Sequence, residues 1–135
     1  MTIGHRKVEV DALFIYKNIW LLCEDTVKTS NIREHIRIKN EAFGEIKNNL
    51  DEFRAKLTDL FPDKDEIIKE FNDSRILVFG LYISKNEIPL LANDPELFEH
   101  LIFVQPQTLD YFQWIVKCIK LSARNEISAN KKQSA

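Results

Sequence analysis

Residues 31 to 61 carry the pattern that most constrains this chain. Ile32, Ile36, Phe43, Ile46, Leu50, Phe53, Leu57 and Leu60 recur at alternating steps of three and four, and Lys39 interrupts the series. Such spacing is the apolar seam of a helix packed along its whole length. Some thirty residues at 1.5 Å each predict a rod of about 45 Å. Asn31 can cap its start, with Glu34 three residues on reaching back, and Pro62 marks its end.

The remaining segments are read against that rod. Val8, Ala12, Ile15, Tyr16, Ile19, Leu22, Cys23 and Val27 form one helical face over residues 8 to 28, and Leu13, Phe14, Trp20 and Leu21 make the opposite face apolar too. Asp11, Asn18 and Asp25 leave a narrow polar stripe, so a helix here is expected to be buried on most sides. The alternation in Lys7-Val8-Glu9-Val10 suits a short strand instead. Beyond Pro62, three early carboxylates and apolar residues at helical intervals predict a third helix over 63 to 84. Residues 76 to 83 are apolar enough for a buried strand, but a lone strand would have nothing to pair with. Asp94-Pro95-Glu96 opens a short helix near 94 to 103, and Thr108 caps a last helix over 108 to 128. The expected fold is therefore all-α: an antiparallel four-helix bundle with one long second helix and a short extra helix in the last crossover. Residues 1 to 128 form its single domain, and 129 to 135 are a frayed tail.

Composition narrows function mostly by exclusion. The 135 residues are 44% hydrophobic and 30% charged, with net charge −2, which rules out disordered and fibrous classes. Gly4, Gly44 and Gly80 lie too far apart to build a phosphate-cradling loop. Cys23 and Cys118 each have apolar neighbours at helical spacing, which predicts two buried free thiols; the alternative is a bridge between the first and last helices. The apolar stretch from Ala12 to Cys23 is cut by Lys17 and Asn18, lacks a cleavage site and is too short to span a bilayer. A cytoplasmic location without membrane contact is expected.

Candidate chemistry is sparse. His5, His35 and His100 fall on three segments with no second ligand at metal-binding spacing, so surface histidines are expected and neither metal nor cofactor is. Glu96, Glu99 and His100 share one side of the short helix, as a small acid/base group or as a solvated face. Arg33, His35, Arg37 and Lys39 crowd the start of the long helix, where the macrodipole disfavours cations. An acidic partner surface or a phosphate backbone would relieve that cost; so would local pairing with Glu24, Asp25 or Glu34. Lys117, Lys120 and Arg124 make a basic stripe on the last helix that can follow a nucleic-acid backbone or simply complement the helix C-terminus. With its basic last helix and the pair Arg124-Asn125, the chain resembles helical-bundle ribonucleases of the HEPN type. Glu126, Ile127, Ser128, Ala129 and Asn130 follow without the His that completes their motif. The resemblance implies an RNA-binding or nuclease bundle using Lys117, Lys120 and Arg124.

The leading functional expectation comes from the rod. A helix longer than its neighbours leaves part of its seam uncovered, and such seams mark interfaces. A non-enzymatic interaction module follows, of the inhibitor, immunity, antitoxin or adaptor type, binding a protein partner or forming a homodimer. Trp20, Ile32, Ile36, Phe43, Leu90, Leu91, Phe98 and Phe103 are its expected contact residues, with Arg33 and Arg37 orienting the partner. A sensor for a small apolar ligand is the remaining alternative.

Overall fold

Residues 12 to 26 combine β-branched and aromatic side chains with a polar Lys17-Asn18 pair at their middle, a composition that also suits two strands and a tight turn. The computed structural model describes residues 1–88 and 99–119, and in it this segment is a hairpin. After a minimal first hairpin, β1 (Thr2–Ile3) with β2 (Arg6–Lys7), come β3 (Ala12–Tyr16) and β4 (Ile19–Thr26), paired antiparallel. Lys17 sits at the turn with φ 54°, in the left-handed region.

Once 12 to 26 is a hairpin, the apolar run after residue 76 has an edge to join. It forms β5 (Leu77–Ser84), parallel to β4, and β6 (Leu101–Val104) pairs parallel to β5, giving one sheet in the order β3-β4-β5-β6. The protein is thus mixed α/β, and the expected all-α four-helix bundle is overturned. Both missed strands share one cause. Apolar residues on both sides of a strand satisfy helical spacing as readily as they satisfy a strand lying in a sheet with parallel pairing. Without the hairpin of 12 to 26, a strand after residue 76 has no edge to join. Gly80 allows β6 to close in: a Cβ there would stand 2.4 Å from the His100 carbonyl oxygen and 2.7 Å from the Phe43 ring.

The rod of 31 to 61 is helical but interrupted. It forms α1 (Ile32–Asn48) and α2 (Leu50–Leu60), with Asn49 between them at φ −128°, ψ 48°. The Asn49 side-chain amide donates to the Glu45 carbonyl at 2.9 Å and to Glu45 Oε1 at 3.0 Å, a local bond that competes with regular helix. Most of the seam is covered too, although its last residue, Leu60, is exposed. Ile36, Phe43, Ile46, Leu50, Phe53 and Leu57 are all buried, with Trp20, Leu22, Tyr82 and Leu101 of the sheet in the same core cluster. The two helices link β4 to the parallel β5, so the start of α1 lies at the carboxyl end of β4.

Past α2, a 3₁₀ turn (Pro62–Lys64), a one-turn helix α3 (Asp65–Ile68) and a second 3₁₀ turn (Asp73–Arg75) replace the expected third helix before β5 begins. The short helix expected near 94 to 103 is corrected in part: 101 to 104 are strand β6, and 94 to 98 lie outside the described residues. A helix runs over 106–119, here α4, beginning on Pro106; the rest of the expected last helix and the tail lie outside the described residues. Cys23 and Cys118 are both free, Cys23 buried and Cys118 exposed rather than buried. Among the described residues, no helix is long and apolar enough to cross a membrane.

Candidate functional site

The inner face of the sheet, under α1, turns polar toward the carboxyl ends of β4 and β5. Along β4 the inward residues run Trp20, Leu22, Glu24, Thr26, and along β5 they end Gly80, Tyr82, Ser84; all seven are buried. Register sets Glu24 against Tyr82 and Tyr82 against Phe103, while Ala12 pairs with Cys23, which brings Asp11, one residue earlier, beside Glu24. Asp11 is held there by its backbone, whose N–H donates to the Cys23 carbonyl at 3.0 Å, and by the Asp25 N–H, which donates to Asp11 Oδ2 at 2.8 Å. From the other side, α1 contributes His35 and Lys39, four residues apart and so on one helix face.

These groups converge on the Glu24 carboxylate. Its Oε1 lies 3.2 Å from His35 Nε2 and its Oε2 lies 3.1 Å from Lys39 Nζ. Lys39 is thus the counter-charge of the buried Oε2. Lys39 Nζ also donates weakly to the Glu9 carbonyl at 3.4 Å. Burial pushes the Glu24 carboxyl above the usual carboxylate range; Lys39 pulls it back, and the nearby Asp11 carboxyl adds to the rise through charge and a shared hydrogen bond. His35 is pushed below the usual histidine range by burial, then by the charges of Lys39 and Lys28.

On the far side of the ring Tyr82 Oη stands 2.6 Å from His35 Nδ1, and nearby the Lys28 N–H donates to Thr26 Oγ1 at 3.1 Å. Burial, together with the Glu24 charge, pushes the Tyr82 phenol up to about 12. Tyr82 and His35 thus lead to the Glu24 carboxylate, beside which Asp11 is exposed.

A cleft of about 690 Å³ opens beside β3, with Glu9 and Asp11 on its rim and Leu13, Phe53, Leu57 and Phe61 in its wall. It reaches Asp11 but not Glu24, His35 or Lys39. Among the described residues, no group of three or more His, Cys, Asp and Glu side chains is placed to hold a metal ion. A closed zinc-type cage therefore does not fit. Magnesium-type ions need less, since one or two carboxylates suffice when water and substrate phosphate complete the shell.

The residues expected from sequence are scattered by comparison. Trp20, Ile36 and Phe43 are at most 1% exposed and fill the core, so they offer no surface to a partner. Ile32 and Phe103 are half-buried against that core. Arg33 is exposed near the start of α1, and Arg37 is held by Glu34, one of the local partners weighed from sequence, and by Glu41 at 2.8 Å, which was not among them. His100 is structural: its N–H donates to Asn40 Oδ1 at 2.9 Å, its ring packs over Gly44, and Glu99 is 3.8 Å away. Lys117 is exposed on α4, while Leu90, Leu91, Glu96, Phe98, Lys120 and Arg124 lie outside the described residues. Asp11, Glu24, His35 and Lys39 went unrecognised as a group. One signal pointed to them: Lys39 breaks an otherwise apolar seam, and a lysine at a packed position needs a buried anion. Comparison with protein-family models, curated proteins and solved structures gives no match for this chain, which leaves the carboxylate, lysine and histidine geometry to speak for function.

Proposed function

We propose that Asp11, Glu24 and Lys39 form a hydrolytic site for a phosphate ester, where the two carboxylates would hold a magnesium-type cation. The observation that carries this reading is the buried Glu24 carboxylate, set beside the Asp11 carboxylate with Lys39 Nζ 3.1 Å and His35 Nε2 3.2 Å away. The location supports the reading too, because ligands of open α/β sheets gather at the carboxyl ends of parallel strands.

The cation would supply Lewis acidity and an acidified water. Asp11 and Glu24 would hold it, offsetting their mutual repulsion. Lys39, beside Glu24, offers a donor to a phosphate oxygen as negative charge develops. His35, with Nε2 3.2 Å from Glu24 Oε1, would position that carboxylate. Lys28 and Arg33 add positive charge at the start of α1, where an anionic substrate offsets the helix-dipole cost of cations. We place this activity in the cytoplasm, a setting supported by two free thiols. Binding of a protein partner is compatible with it, but through a surface other than the helical seam.

The test is cleavage of single- and double-stranded oligonucleotides and of bis(p-nitrophenyl) phosphate in magnesium or manganese, beside manganese binding read by paramagnetic resonance. Divalent-dependent turnover is expected, lost on chelation and lost in Asp11→Asn and Glu24→Gln. A protein that binds no manganese and cleaves none of these substrates would remove the proposal.

A further inference from the structure

We infer that a second copy of this chain covers the outer face of the sheet, each copy laying its α4 across the other's strands. This rests on surfaces away from the carboxylate site and stands independently of the hydrolase reading. The outer face is apolar and, among the described residues, largely uncovered: Phe14, Tyr16, Leu77 and Ile102 are 59%, 69%, 52% and 50% exposed, while Cys23 between them is buried. Sheets with parallel pairing are normally covered on both sides.

The same molecule carries a helix in the complementary condition. On α4, Tyr111, Phe112, Trp114 and Ile119 are 60%, 55%, 62% and 62% exposed, and Leu109 and Val116 about half so. Its polar residues Asp110, Gln113 and Lys117 lie on one stripe at steps of three and four, leaving most of the circumference apolar. A helix apolar nearly all round belongs in an interior. Its own sheet does not provide one. A single residue, Gln105, joins β6 to α4, shorter than the usual two to six residues of such loops. That joint is pinned to the chain beyond β5: the Ile88 N–H donates to Gln105 Oε1 at 2.7 Å, and the Gln107 N–H to Glu87 Oε1 at 3.1 Å.

Dimensions favour a second copy as the occupant. Residues 106–119 make a helix of about 21 Å, and four strands at about 4.8 Å spacing make a sheet of similar width. Half-exposed aromatic and aliphatic side chains offer on the order of 100 Å² each. A reciprocal pair of helix-on-sheet contacts then buries on the order of 2,000 Å² in total, the range of a stable dimer. A two-fold arrangement closes on itself and leaves neither surface exposed.

Light scattering on the full chain at micromolar concentration tests this, with twice 15.9 kDa expected. Phe79→Glu on the outer face and Trp114→Glu on α4 should each weaken self-association at least 100-fold while circular dichroism stays unchanged. Mixing the two variants should restore a heterodimer, because one helix-on-sheet contact remains intact in the mixture. Should either variant fail to fold, a photo-crosslinker on the exposed thiol of Cys118 in the unmutated chain decides; adducts are expected on β3 or β5 of the other copy. A monomer at all concentrations, no heterodimer on mixing, or adducts confined to α4 of the other copy would each overturn the inference.

Discussion

The two faces of one sheet differ more than the sequence that makes them. Trp20 and Tyr82, pointing inward, are 1% and 0% exposed, whereas Phe14 and Tyr16 on the outer side are 59% and 69% exposed. Residues of the same kind alternate along the strands, and the difference lies wholly in what packs on each side. The inner face is closed by α1 and α2, and because it is closed it can hold a carboxylate, a lysine and a histidine in a low dielectric where their interactions are strong. The outer face has no such cover within the described residues, so its apolarity speaks for association and not for chemistry.

A matched pair of substitutions breaks or keeps that contrast. Phe43→Ala, in the inner core, should cost about 3–5 kcal/mol in urea unfolding. Phe14→Ala on the outer face should cost under about 1 kcal/mol at high dilution, with the loss growing as protein concentration rises and the second copy comes on. Equal, concentration-independent losses would mean the outer face is covered within the chain.

The polar part of the inner face makes the next largest claim. Lys39→Met leaves Glu24 buried beside Asp11 without its counter-charge, and a loss of about 3 kcal/mol is expected. Adding Glu24→Gln removes the stranded charge, so the double variant should recover most of that stability while remaining inactive. Thermal or urea unfolding of the three proteins reads both numbers. A double variant no more stable than Lys39→Met would mean that Lys39 does not serve Glu24.

How far the sequence disclosed these features depends on how one-sided each segment is. The helical part of 31 to 61 was legible because one side meets the core and the other meets water, so its spacing has a single interpretation. Residues 12 to 26 and 77 to 84 are apolar on both sides, and their strand character appears only when they pair with each other across a long separation. The candidate site was half visible. Asp11 was read as part of a polar stripe, Glu24 as a local counter-ion and His35 as a surface group. Lys39, the intruder in the seam, marked the place, but its partners sit 15 and 28 residues upstream on the hairpin that the helical reading had dissolved.

Tyr82 gives a pH window that belongs to the inner face. Its folded pKa is raised, to about 12 from 10.0, so the phenol keeps its proton in the fold when the unfolded chain has lost it. The stabilisation is complete below pH 10 and is lost as pH rises toward 12, on the order of 2 kcal/mol. Tyr82→Phe should flatten this alkaline limb in urea unfolding against pH; an unchanged limb would contradict the burial of Tyr82. The acid side is less clean, because two groups oppose there. His35, lowered from 6.5, loses stability as pH falls below that value, whereas Glu24, raised from 4.5, contributes below 4.5 and loses it as pH rises.

The smallest expected effect separates the hairpin from the helix it displaced. Lys17 holds φ at 54°, a conformation that costs a residue with a Cβ about 1 kcal/mol and glycine almost nothing. Lys17→Gly therefore removes strain at the turn between β3 and β4, while the added freedom of the unfolded chain offsets part of the gain. The net should be a stabilisation of some tenths of a kcal/mol, visible as a rise of a degree or two in Tm. Within a helix over 8 to 28, the same substitution would destabilise by about 1 kcal/mol. The sign of the change in Tm therefore decides between the two structures, and with them whether Asp11 and Glu24 stand side by side across a strand pair or thirteen residues apart along a rod.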